Sequence, residues 1–239
     1  HPEWFKELTG KLEPLGNGLF RLREEFRDVE VPESCTGEVF FFLTAEISCI
    51  YRKAGKTRKI HSLVFVPDFE CALRVNARLG KIGNLKADGR PILGLDAKEL
   101  LKIILNEDPS AMLVPAHAWT PHFSLFGAFS GFDSLEECFE ELTPHIYAIE
   151  TGLSSDPSMN RRLSLLDGLT LISNSDAHSP ARLGREASIF NTGLSYDAIC
   201  DAIRTGRGFS GTIEFFPEEG KYHYDGHRNC RVRLSPEET

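Results

Sequence analysis

Between residues 39 and 206, short apolar runs alternate with stretches of helical period. VFFFLTAE, KIHSLVFV, AMLVPAH, HIYAIE and LTLIS have the length and content of buried strands. DFECALRVNARLGKIG, LDAKELLKIILN, SLEECFEEL, PSMNRRLSLLD and SYDAICDAIRTG place apolar residues at helical spacing. Asp96 with Glu99 and Ser134 with Glu137 read as capping boxes, and Gly206 as a helix stop. Such alternation predicts an α/β fold: a parallel sheet with crossover helices, open or closed into a barrel. Upstream, residues 2–9 read as a short amphipathic helix, 10–18 as a loop and 19–26 as another strand.

The strand-like runs carry cation-binding side chains. Glu46 ends VFFFLTAE, His117 ends AMLVPAH, Glu150 ends HIYAIE, and Asp176 with His178 follows LTLIS. His61 lies near the start of its run, and His1 opens the chain. In α/β barrels the rim beyond the strands is where active sites are built. Each residue also has a plainer reading. A lone His is more often a hydrogen-bonded core residue. A carboxylate closing a buried strand is satisfied by a partner or a helix N-terminus as well as by a cation. A D-x-H pair serves structure as readily as ligation. Their recurrence is what points to a multinuclear metal hydrolase, in which ions activate water and clamp phosphate oxygens without a Ser or Cys nucleophile. The sequence has neither G-x-S-x-G nor G-x-x-x-x-G-K-[ST], which disfavours an α/β-hydrolase and a P-loop NTPase.

Two loops offer substrate contacts. TPHFSLFGAFSGFDS presents Phe123, Phe126, Phe129 and Phe132, preceded by Trp119; these either plug the mouth of the fold or stack on bases. Arg161, Arg162, Arg182 and Arg185 are individually ordinary surface residues and collectively candidate phosphate clamps. The basic stretch Arg52, Lys53, Lys56, Arg58 and Lys59 reads first as a solvated hairpin tip, with phosphate contact as the alternative. A formal net charge of −8 argues against a generic DNA-coating surface, but not against DNA as a substrate of a site holding divalent ions. The scattered cysteines, without a CxxC, read as free thiols of a reducing cytoplasm. No apolar stretch reaches membrane-spanning length, so no membrane partner is expected.

The motifs TAE, KIH, PAH, IET and SDAH resemble those of the polymerase-and-histidinol-phosphatase (PHP) superfamily of metal-dependent phosphoesterases. HPEWFKEL, WTPHFSLFGAFSGFDSLEECF, TGLSSDPSMNRRLS, SNSDAHSPARLGREA and GTIEFFPEEGKYHYDGHRNC resemble endonuclease Q, over essentially the whole chain. The resemblance implies a distorted (β/α) PHP-type barrel over residues 1–210 and the beginning of a small zinc-ribbon-like module over 211–239. It implies hydrolysis, by metal-activated water, of the phosphodiester 5′ of deaminated bases such as uracil and hypoxanthine in DNA. Two or three divalent ions (Zn, Mn or Mg) are implied, bridged by Glu46. Asp176 would complete one shell, and His61 and His117 the other, with His1 and His178 on a third ion. Glu46, Asp176 and His178 would form the catalytic set. Glu150 lies at a rim position in the same pattern. His227 and Cys230 would be half of a structural zinc site. Trp119, Phe123, Phe126, Arg161, Arg162, Arg182 and Arg185 would contact the DNA. PHP enzymes open with an H-x-H pair that this sequence lacks, so the resemblance further implies a fragment starting after that motif. A PHP phosphatase for small phosphomonoesters and a nucleic-acid-binding module without catalysis are the alternatives.

Overall fold

The computed structural model describes residues 2–27, 32, 35, 37–86, 91–220, 222, 224–227, 229–235 and 237–238. After helix α1 (Pro2–Lys11) and the short hairpin of β1 (Leu12–Pro14) and β2 (Phe20–Leu22), the chain enters its main sheet. Strands β3 (Leu43–Lys53) and β4 (Lys56–Val66) pair antiparallel without a break, from Leu43↔Val66 to Lys53↔Lys56. The two-residue tip, Ala54 and Gly55, has positive φ at both positions (50° and 75°), the twist that suits a tight hairpin. Strand β5 (Ile92–Leu93) adds parallel to β3, and β6 (Met112–Pro115) antiparallel to β4, giving the order β5-β3-β4-β6.

The side-chain period of two divides this hairpin. Leu43, Ile47, Cys49, Ile60, Val64 and Val66 face a core completed by α2 (Phe69–Leu79) and α3 (Ala97–Glu107). Glu46, Ser48 and His61 occupy the opposite face, with Ser48 directly across from His61. Both helices start on aspartates: Asp68 accepts from the Cys71 N–H and Asp96 from the Lys98 N–H. Ser134 likewise accepts from the Glu137 N–H to open α4 (Leu135–Phe139).

The second half is built from short pieces. Strand β7 (Ala148–Glu150) pairs parallel with β8 (Thr170–Ile172), with the short α5 (Pro157–Asn160) between them. Strands β9 (Ala187–Phe190) and β10 (Phe209–Ile213) pair antiparallel around α6 (Tyr196–Thr205), which ends on Gly206 at φ 72°. A last hairpin joins β11 (Asp225–His227) to β12 (Val232–Leu234). Among the described residues no helix is long and apolar enough to cross a membrane.

The mixed α/β class stands, but several readings need correction. The main sheet is mostly antiparallel where a parallel one was expected, because the hairpin tip joins β3 directly to β4 and β6 adds antiparallel to β4. The described strands lie in five ladders, one four-stranded and four two-stranded. Glu46 does not end a strand: ISCIYRK continues it for seven more residues, paired residue by residue with β4. The expected helix over PSMNRRLSLLD stops at Asn160. Arg161 turns back instead and donates to the carbonyls of Leu166 (2.6 Å) and Leu169 (2.9 Å). The basic stretch does make a hairpin tip, yet Arg58 is buried over the Phe132 ring and donates to the Gly131 carbonyl, and Lys53 pairs with Glu140 at 2.6 Å.

Candidate metal centre

The buried turn that follows β6 delivers His117 to the polar face of the β3–β4 hairpin. Glu46 Oε1 lies 2.8 Å from His61 Nδ1 and 3.4 Å from His117 Nε2, and the two nitrogens are 3.2 Å apart. Around a cation held at ~2.1 Å, neighbouring donors stand roughly 3.0–3.4 Å apart, so these three atoms suit adjacent positions on one coordination sphere. Among the described residues, no other group of three or more acidic, His or Cys donors comes together in this way.

The hydrogen-bond network assigns the His117 tautomer. Its Nδ1 is 3.0 Å from Thr120 Oγ1, and that hydroxyl donates its one proton to the His122 carbonyl at 2.8 Å. The hydroxyl therefore accepts from Nδ1–H, and Nε2, facing Glu46, is the atom that takes either a proton or a cation. Burial alone would push the Glu46 carboxyl up. Hydrogen bonds from His117 and His61, together with their charge, outweigh it and hold Glu46 well below the usual carboxylate range. Burial likewise opposes charge on His117, but Glu46, Glu150 and Asp176 together raise its pKa. An ionised carboxylate beside two imidazoles is a donor set that could hold a divalent ion.

Glu150 ends β7, 3% exposed, and uses both oxygens within the protein. Oε2 accepts from the His117 N–H at 2.7 Å and Oε1 from Asn174 Nδ2 at 2.8 Å. Burial pushes its pKa up against these donors. His117 itself holds a positive φ of 30°, and Gly152, at φ 63°, lies against its backbone. Asp176, also at positive φ (44°), acts on His117 through charge but is not among the three clustered donors. His178 is exposed, its Nδ1 2.9 Å from the Asp176 carbonyl. His1 lies outside the described residues.

The aromatic loop divides between core and surface. Phe126, 7% exposed, stacks on Trp119 at 4.7 Å, and Trp119 Nε1 donates to Asn160 Oδ1 at 2.7 Å, so this pair forms a wall. Phe123 covers the His61 ring at 4.6 Å, with Lys59 Nζ 5.2 Å from its centre. Phe129, 74% exposed, stacks on His122 at 4.6 Å. Arg162 and Arg182 are exposed, whereas Arg185 is tied to the carbonyls of Ser175 (2.7 Å) and Asp176 (3.2 Å), holding the loop that carries Asp176. In the last hairpin His227 Nδ1 lies 3.3 Å from Cys230 Sγ, and His227 Nε2 lies 3.5 Å from Asp133.

Sequence reading passed over Thr120, Gly152, Asn174 and Glu186. Only Asn174 carried a signal, as a polar residue two positions before the D-x-H pair. Glu186 is 2% exposed; it accepts from the Ser173 hydroxyl at 2.9 Å and the Phe215 N–H at 3.3 Å. Burial, with the charges of Glu214 and Glu150, raises its pKa from the usual 4.5 to about 7. From about pH 4.5 to 7 the unfolded chain therefore loses a proton that the folded protein keeps, and stability falls as pH rises. Glu186→Gln is expected to flatten that fall in a series of thermal midpoints across the window. An unchanged slope would show that the carboxyl is already ionised.

No family model matches the chain. A lesion-specific endonuclease of Pyrococcus furiosus, PfuEndoQ, has a crystal structure that superposes at TM-score 0.74 with 26% identity, covering 99% of this chain and 54% of that one. The chain is endonuclease Q-like. Two relatives are similar in sequence: the uncharacterized protein YqxK of Bacillus subtilis (33% identity over 132 residues) and the uncharacterized protein MJ0043 of Methanocaldococcus jannaschii (31% over 131). These matches cover 53% and 52% of this chain, but only 32% and 16% of the relatives. The chain thus matches about half of the solved endonuclease and smaller shares of the other two proteins.

Proposed function

We propose that this chain is the catalytic body of a metal-dependent DNA repair endonuclease, hydrolysing the phosphodiester 5′ of a deaminated base such as uracil or hypoxanthine. The observation that carries the reading is the convergence of Glu46, His61 and His117 in a chain with endonuclease Q-like structure. These three residues would hold one divalent ion, zinc, manganese or magnesium. Asp176 and His178 would serve neighbouring ions from the next loop, with His1. The chemistry that such ions supply when bound is a lowered pKa for water and charge neutralisation at a phosphate.

The protein's own groups do the rest. Thr120 keeps the Nδ1 proton on His117, so that Nε2 stays free for the ion. Phe123 shields His61 from bulk water, and Lys59 beside it supplies a charge suited to a phosphate. Phe129, stacked on His122, offers a free aromatic face to an unstacked base. Arg162 and Arg182, both exposed, would meet the DNA backbone. In this reading residues 1–210 are a distorted PHP barrel, and 211–239 begin a zinc-binding module that uses His227 and Cys230.

The test offers the protein single- and double-stranded DNA carrying one uracil or hypoxanthine, with manganese, magnesium or zinc. Nicking on the 5′ side of the lesion is expected, and its loss on chelation. Intact lesion DNA under all three ions, alongside turnover of a small phosphomonoester, would replace this reading with a phosphatase.

A further inference from the structure

We propose that Glu150 is a positioning residue, the tie that holds the His117 loop and the Asn174–Asp176 loop in one geometry, and that it is not itself a metal ligand. The inference rests on the metal-centre reading of Glu46, His61 and His117 and concerns what keeps that centre in shape. Strand β7 stands between the two loops, touching β6 on one side and pairing with β8 on the other. Glu150 closes β7, so its carboxylate emerges where the other two strands release their loops.

Both carboxylate oxygens are committed, one to the His117 N–H and one to Asn174 Nδ2. The Glu150 carbonyl also accepts from the Ala118 N–H at 2.9 Å, so two successive amides of the His117 turn end on one residue. That turn needs holding. A non-glycine residue at positive φ persists only where its surroundings over-determine it. On the far side, Asn174 lies two residues before Asp176, whose backbone is also off the common regions. One buried side chain therefore ties together two segments with strained backbones, one carrying His117 and the other Asp176, whose charge acts on His117. Residues that orient ligands in this way typically contribute ~10–100-fold to metal affinity.

Three variants separate positioning from ligation. Glu150→Gln keeps an acceptor for the His117 N–H, and its amide pairs with Asn174 once that side chain flips. Mn2+ affinity, read by calorimetry, is expected to stay within about threefold of wild type. A ligand carboxylate would show a far larger loss in the same variant, and that result overturns the proposal. Glu150→Ala is expected to weaken Mn2+ about 10–100-fold. Should it fold poorly, Asn174→Ala cuts one arm of the tie at an exposed residue and is expected to weaken Mn2+ several-fold. Unchanged affinity in Asn174→Ala also overturns the proposal. Hydrogen exchange in the metal-free protein gives an independent readout. The His117 amide should be protected in wild type and Glu150→Gln and exchange faster in Glu150→Ala. If wild type takes up no Mn2+, the metal-centre reading fails. His117 amide protection then decides the tie alone, and equal protection in all three proteins refutes it.

Discussion

Glu46→Gln is expected to eliminate divalent-ion binding and the hydrolysis that depends on it. Glu46 meets both histidines through a single oxygen, and those hydrogen bonds keep it ionised despite its burial. Gln preserves shape but removes the charge, and a neutral amide is a poor ligand for a hard or borderline cation. The loss should exceed the ~100-fold upper range seen when only an outer partner of a ligand is removed. Calorimetric titration with Mn2+ and a lesion-DNA nicking assay read the two effects. Retained affinity would mean that the three clustered residues are a hydrogen-bonded structural group. The same substitution should lower the pKa of His117, because Glu46 is the largest of the influences that raise it.

Gly152→Ala is the second large effect, and it reaches the site through the backbone. Gly152 sits at φ 63°, and a Cβ there would lie 2.6 Å from His117 Cβ and 2.9 Å from His117 Cα. Strain at that φ and the clash together suggest roughly 3 kcal/mol of destabilisation. For a chain of this length that corresponds to a fall of about 6–12 °C in Tm. Relief by moving His117 would pull Nε2 off Glu46, so Mn2+ affinity should fall as well. Gly10→Ala is the control, since an added Cβ at Gly10 meets nothing within 4 Å. Equal Tm values for the two variants would refute the close approach of Gly152 to His117.

The elements that the sequence displays best are those whose signals are local. The caps of α3 and α4, the Gly206 stop and the apolar runs of β6, β7 and β8 all lie where periodicity and capping chemistry put them. Glu46 and His61 were legible as residues, but only the family resemblance joined them as partners, because their meeting depends on the pairing of β3 with β4. A run reading VFFFLTAE looks complete at its acid. Only the cross-strand register reveals that Glu46 and His61 share a face, diagonally disposed about the Ser48–His61 pair. The arginines misled in the opposite direction. Arg161 and Arg185 look free in sequence, yet both guanidinium groups are taken by backbone carbonyls in irregular turns. Irregular turns leave no period to read, and for the same reason Gly152 was indistinguishable from any other loop glycine.

The β3–β4 hairpin also sets an order of assembly. Glu46 and His61 lie on the two arms of one local unit, whereas His117 is 56 residues beyond His61. Hairpins of this kind zip on a timescale of about 1–10 μs, so Glu46 and His61 are expected to meet before β6 docks His117 beside them. An ion held by all three donors would join the two parts and slow the reversal of that last step. Stopped-flow unfolding with and without Mn2+ would show this as a slower unfolding rate at an unchanged early folding phase.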